Sequence, residues 1–248
     1  MPEKMVQADE FAQLAKKNFD RIQVLKGDSY KDRSTMIIMP TRGLINHRVV
    51  SKLMGLITPT NQRRAMLLVQ GDEVGEAYNK AIKATLDNET KEGRCEYLMT
   101  IEDDNLVPHD AHVRLIQAIE KYDFEAVSGL YYSKGEFGFP MAFGNPSLWK
   151  SQGILDFAPR EDIGPAMEKD NILEVNGIAM GCAVYKMEVF RSLAYPWFKT
   201  WQNFVGDNYA GQTQDLYFCE NVRRAGGRLA VHCGVRVGHL DKETGEVW

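Results

Sequence analysis

Three adjacent carboxylates, Glu102, Asp103 and Asp104, follow the apolar run Tyr97–Ile101 in the stretch EYLMTIEDDNLVP, residues 96–108. Side by side they repel, and a plain solvated turn is built more simply from Asn, Gly or Ser. The cluster is therefore either an exposed acidic loop or a set of ligands for a cation. Two or three carboxylates beside an amide, here Asn105, are hard oxygen donors suited to Mg2+ or Mn2+. Such ions leave positions open for substrate phosphates and neutralise charge on a departing diphosphate.

The elements around this cluster set its place. The apolar runs STMIIMP, which stops at Pro40, and AMLLVQ, ending at Gln70, precede Tyr97–Ile101, and EAVSGLYY follows it. Helical stretches over 47–57, 74–86 and 110–121 alternate with them. Strands apolar on both faces, alternating with helices, predict a mostly parallel sheet flanked by helices. Ligands of such sheets bind beyond the carboxyl ends of the strands. Pro40-Thr41-Arg42-Gly43, Gln70-Gly71-Asp72 and the acidic cluster thus meet on one rim.

Beyond about residue 132 the pattern changes. Residues 133–172 are rich in Gly, Pro and aromatics, and 195–213 read as irregular and aromatic. Between them, LEVNGIAMGCAVYKMEVF reads as a strand pair or a strand and helix. A helix over 214–225, stopped by Gly226 and Gly227, precedes a closing strand. This predicts an N-terminal helical extension over 1–33, a doubly wound, Rossmann-like half over 34–132 and a second half over 133–248. Within the extension, 9–26 read as an amphipathic helix packed on the domain, or else as a homodimer or membrane-surface contact.

Composition narrows the function. The 248 residues are 44% hydrophobic and 26% charged, enough for a large core. A net charge of -4 disfavours generic nucleic-acid coating. Four dispersed cysteines without a C-x-x-C pair read as reduced thiols, and no apolar run approaches 18 residues, so a cytoplasmic protein without a transmembrane segment is expected. No G-x-G-x-x-G or G-x-x-x-x-G-K-[ST] occurs, which argues against a dinucleotide fold and a P-loop. A nucleotide held through a metal is the remaining solution. His109 and His112 lack suitably spaced cysteines for zinc.

These residues carry a resemblance. MTIEDDNLVP looks like the DxD-type metal motif of GT-A nucleotide-sugar glycosyltransferases, particularly family 2-like members. TMIIMPTRG, GEAYNKAIKAT, NGIAMGCAVYKMEVF and TQDLYFCENVRRAGGRLAV resemble further family segments in the family's order, covering about 34–241. The resemblance implies a GT-A Rossmann-like α/β fold with an acceptor-side subdomain, and a nucleoside diphosphate sugar donor. It implies Glu102, Asp104 and His239 as ligands of Mn2+ or Mg2+, with Asp103 near the ribose or the ion. Pro40, Thr41, Arg42 and Gln70 would line the nucleotide pocket, and Asn79 and Lys83 would lie near the base or diphosphate. Gly181 belongs to the segment that closes over the donor sugar. Asp215 matches the general base of inverting members. Gln70 and Gly71 stand where family members have an acid that reads the base, so the nucleobase stays open.

Other readings stay beside these. Asp215 can be a helix-start acid, His239 a histidine satisfied by a carbonyl, and Arg42 a surface charge. Phe137, Phe139, Phe143, Trp149, Trp197 and Trp201 can stack on a ligand, with more than half expected in the core. Lys150, Arg160, Arg191, Lys199, Arg223, Arg224 and Arg228 are a face for a polyanion or a scattered solvated set. The acceptor is open between a carbohydrate, a small metabolite and a modified nucleobase in DNA. A non-catalytic protein on the same scaffold and a nucleotidyltransferase are the alternative functions.

Overall fold

The computed structural model describes residues 32–60, 62–90, 93–205 and 208–248; the predicted helix over 9–26 lies outside them. Arg33–Trp248 form one compact unit. In chain order it begins with β1 (Thr35–Thr41), α1 (His47–Met54), β2 (Arg64–Gln70), α2 (Val74–Asp87), β3 (Tyr97–Ile101), β4 (Asn105–Leu106), α3 (Ala111–Tyr122) and β5 (Ala126–Leu130). Then come β6 (Ala142–Phe143), α4 (Pro146–Gln152), α5 (Ile163–Glu168), β7 (Ile172–Val175), β8 (Gly177–Ile178), β9 (Cys182–Lys186) and α6 (Met187–Ser192). The chain closes with β10 (Trp201–Val205), β11 (Asn208–Gln212), α7 (Gln214–Arg224), β12 (Leu229–Arg236) and β13 (Gly238–His239).

Seven strands form the central sheet in the order β2-β1-β3-β9-β5-β12-β7. β1 runs parallel to β2 and β3, and β12 parallel to β5. β9 is inserted antiparallel between β3 and β5, and β7 pairs antiparallel with β12 at one edge. A strand from the second half of the chain therefore lies inside the sheet of the first half. All five residues of β3 are buried. Its Leu98 joins Ile38, Tyr78, Ile82, Tyr185, Phe190 and Phe218 on one face, where α2, α6 and α7 pack. Its Met99 and Ile101 join Ile37, Met39, Val49 and Leu115 on the other, under α1 and α3. Burial on both faces is why these strands read as unbroken apolar runs.

Three expectations change. β1 runs one residue past Pro40. Trp201–Val205 and Asn208–Gln212, expected to be irregular, pair as the antiparallel strands β10 and β11. Of the six aromatics expected mostly in the core, only Trp197 is buried, while Phe137, Phe139 and Trp201 are exposed. All four cysteines are free thiols, and Cys182, Cys219 and Cys233 are buried. Among the described residues no helix is long and apolar enough to cross a membrane.

Leu98 is fully buried at the centre of the sheet. Leu98→Ala should cost about 3 kcal/mol of unfolding free energy, read from urea denaturation, because the close-packed centre cannot collapse onto the cavity.

Candidate active site

The acidic cluster is shaped by the end of β3. The Asn105 N–H bonds the Glu102 carbonyl at 3.1 Å, which turns the chain sharply, and the Glu102 N–H bonds the Gly181 carbonyl at 3.1 Å. Just past the turn, β4 pairs antiparallel with β13, so His239 stands opposite Asn105 and beside Asp104. The Leu240 N–H ties down the Asp104 carbonyl at 2.8 Å. Gly181 allows this closeness: a Cβ there would lie 2.6 Å from Asn105 Oδ1 and from the Tyr131 hydroxyl oxygen. Asn105 is fully buried, and neither polar atom of its side chain has a hydrogen-bond partner.

The three acids line a cavity of about 1030 Å3 together with Pro40, Thr41, Arg42, Gly71, Lys134 and Lys242. Each acid is treated differently. Burial pushes Glu102 up to about 8, and the charges of Asp104, Asp215 and Asp103 add to it. Asp103 Oδ1 meets Lys242 Nζ at 2.5 Å. Burial also raises Asp104, but hydrogen bonds from His239 and Lys134, and their charge, outweigh it and hold the carboxyl at about 2. Lys134 Nζ is 2.6 Å from Asp104 Oδ2, and His239 Nε2 is 3.6 Å from the same oxygen.

His239 Nδ1 lies 2.8 Å from the Tyr132 carbonyl oxygen. A carbonyl only accepts, so Nδ1 carries a proton, and Nε2, which faces Asp104, is the nitrogen whose lone pair a cation would take. That support through the other ring nitrogen is typical of metal-ligating histidines. Asp104 and His239 thus fit a cation as two protein ligands, with the remaining positions left to substrate and water. Among the described residues no group of three or more His, Cys, Asp or Glu is gathered to hold an ion by itself. The expected trio of Glu102, Asp104 and His239 is therefore no ready-made cage, because burial and its acidic neighbours disfavour the charged form of Glu102 and Lys134 occupies Asp104.

The other expected residues divide. Pro40, Thr41, Arg42 and Asp103 line the cavity. Gln70 ends β2, and its Nε2 closely approaches Gly43 in the β1–α1 loop. Asn79 is buried: its Nδ2 donates to the Phe198 carbonyl at 2.7 Å, and its Oδ1 accepts from the Trp197 and Phe198 N–H groups. Its amide is committed to holding residues 197–198 on α2. Lys83 pairs with Asp87 on the exposed face of α2. Neither residue lines the cavity. Asp215 opens α7. Burial raises its pKa, partly offset by hydrogen bonds from the Thr213 hydroxyl and the Leu216 N–H. Among the cavity residues that the sequence reading lacked are Lys134 and Lys242; as lone lysines in loops they carry no local pattern.

The next residue along α7 faces elsewhere. Leu216 lines a second cavity of about 500 Å3 with Phe157, Trp201, Gln212, Glu220 and Arg224. Trp201 Nε1 donates to Gln212 Oε1 at 3.0 Å, Gln212 Nε2 to Glu220 Oε2 at 2.9 Å, and Arg224 Nε to Glu220 Oε1 at 2.8 Å. One wall is thus a fixed polar chain that starts at an indole. Five of the seven basic residues weighed as a polyanion face are paired with acids: Arg160, Arg191, Arg223, Arg224 and Arg228.

No known family profile and no curated protein sequence matches the chain. Solved structures do. A197 from STIV is similar with a TM-score of 0.56 at 15% identity, over 85% of this chain and 87% of that one. GalNAc-T7, solved with UDP, GalNAc and Mn2+, is similar with a TM-score of 0.54 at 12% identity, over 97% of this chain and 54% of that one. The fold is GT-A-like. At such identities the likeness speaks for the fold alone, and the chain spans about half of the GalNAc-T7 chain. In this GT-A-like frame the acidic turn lies at the carboxyl end of the central β3.

Glu102 yields a pH test. Its folded pKa of about 8 lies above its ordinary 4.5, so the native state holds a proton that the unfolded chain has lost. That contribution is full below pH 4.5 and is lost as pH rises through 8. In metal-free buffer, stability measured by urea denaturation should fall from pH 6.5 to 8 more steeply in wild type than in Glu102→Gln. Comparing the two slopes cancels His112 and His232, whose pKa values are lowered to about 4 chiefly by burial. Equal slopes would refute the protonated Glu102.

Proposed function

We propose that the protein transfers a sugar from a nucleoside diphosphate sugar to an acceptor hydroxyl, using Mn2+ or Mg2+ held by Asp104 and His239. The observation that carries this reading is the Asp104–His239 pair, with Nε2 turned toward the carboxylate, on the rim of the large cavity of a GT-A-like fold. Pro40, Thr41 and Arg42 would hold the nucleotide, and Gly181, packed against Asn105 and Tyr131, would support the acidic turn from behind. A bound ion supplies positive charge against the departing diphosphate.

Asp215 is the proposed base. The Thr213 hydroxyl and the Leu216 N–H hold its Oδ1 and so orient the carboxylate. Its raised pKa brings it nearer to the pH at which it must take a proton. The acceptor oxygen forms its bond to C1 of the sugar as its proton passes to Asp215. The bond from C1 to the diphosphate breaks, and its electron pair leaves on the diphosphate oxygen. Attack opposite the leaving group inverts the anomeric centre.

The second cavity, lined by Leu216 next to Asp215 in sequence, is proposed to hold the part of the acceptor remote from the reacting hydroxyl. Its Glu220 and Arg224 neutralise each other, which suits a neutral carbohydrate or small metabolite better than DNA. A second reading, a scaffold that does not catalyse transfer, is favoured by the lysine ammonium groups on Asp103 and Asp104.

A melting screen of UDP-, GDP-, CMP- and dTDP-sugars with and without Mn2+ separates the two. One nucleotide class should raise the melting temperature only with Mn2+, and Asp104→Ala should abolish that rise. If none does, the transferase reading fails and the scaffold stands. Asp215→Asn should keep the rise while transfer falls about 10²–10⁴-fold. Once an acceptor is in hand, Trp201→Ala should raise its KM about tenfold, as expected for a lost aromatic contact worth about 1–1.5 kcal/mol, and leave the donor KM unchanged.

A further inference from the structure

Lys134 contests the oxygen that a cation needs. Its Nζ lies 2.6 Å from Asp104 Oδ2, the oxygen that faces His239 Nε2 at 3.6 Å. It reaches there from residues 133–139, a loop closed at its base by the Ser133 N–H to the Phe139 carbonyl at 2.8 Å and by the Phe139 N–H to Ser133 Oγ at 2.9 Å. Two residues before Lys134, the Tyr132 carbonyl accepts the proton of His239 Nδ1. One short, anchored segment thus both orients the imidazole and covers the carboxylate beside it.

An ammonium and a divalent ion repel, and at Asp104 Oδ2 they compete for the charge of one carboxylate. An ion between Asp104 and His239 binds more tightly once Lys134 has moved away. The displaced ammonium needs another anion; among the nearby cavity-lining acids Asp103 already holds Lys242, and Asp241 Oδ1 accepts from the Glu243 and Thr244 N–H groups. A diphosphate in the cavity that Lys134 lines supplies one, and the flexible four-carbon stem lets the ammonium swing without moving the backbone.

We infer that Lys134 is a gate on metal binding: its ammonium keeps a divalent cation off the Asp104–His239 pair until a diphosphate takes the ammonium over. The inference rests on the donor reading above and adds an order to it. Ion and diphosphate bind with positive coupling, and Lys134 carries that coupling.

The test is Mn2+ binding by the full chain, followed through the electron paramagnetic resonance signal of free Mn2+, with and without inorganic pyrophosphate. Lys134→Met should bind Mn2+ alone about tenfold more tightly than wild type, and the tightening given by pyrophosphate should shrink about tenfold. Lys134→Arg keeps the charge and should bind Mn2+ alone as weakly as wild type. Adding Asp104→Ala to Lys134→Met should erase the gain, which ties it to that carboxylate. Unchanged Mn2+ affinity in Lys134→Met overturns the gate. So does a wild type whose Mn2+ binding pyrophosphate does not tighten. A sugar nucleotide that still raises the melting temperature in that case leaves the donor reading standing while the gate falls.

Discussion

Like-charge repulsion at the end of β3 is the constraint around which the cleft is arranged. A fully buried strand delivers three carboxylates to one short turn, and each needs its own remedy. Glu102 keeps its proton, Asp103 faces Lys242, and Asp104 faces Lys134 and His239. The remedies come from distant parts of the chain: the loop after β5, β13 and the turn that follows it. Uncompensated, the same acids would favour opening the strand end to water.

Positioning follows from a few backbone bonds rather than from extensive packing. The two-residue β4–β13 ladder sets His239 beside Asp104, and the Glu102 N–H to Gly181 carbonyl bond joins the turn to the chain entering β9. Because β9 lies between β3 and β5, the acidic turn and the Gly181 segment cannot move independently. Asp215 and Leu216, neighbours at the start of α7, have different surroundings: the charge of one acts on Glu102, and the other lines the second cavity.

Much of the frame was legible in the sequence, for a physical reason. β1, β3 and β5 are buried on both faces, so they appear as continuous apolar runs, and α2 and α3 carry apolar stripes at helical spacing. The insertion of β9 was not legible, because strand order depends on pairing across more than eighty residues. The β10–β11 pair hid in a polar, amide-rich stretch without clean alternation. At the site, Asp104 and His239 were readable from motif order, whereas Asn79 proved to be a clamp on residues 197–198, a role visible only once α2 and that segment are packed together. Lys134 and Lys242 belong to the same class of residue: tertiary structure alone brings them over the acids.

The central claim is that Asp104 and His239 hold a divalent cation for a diphosphate. Crystals grown with UDP and Mn2+ and measured at the manganese absorption edge test it directly. An anomalous difference peak within bonding distance of Asp104 Oδ2 and His239 Nε2, with the Lys134 ammonium moved from Asp104 onto phosphate, is the predicted result. Bound UDP with Lys134 still on Asp104 and no manganese peak between the carboxylate and the imidazole would contradict it.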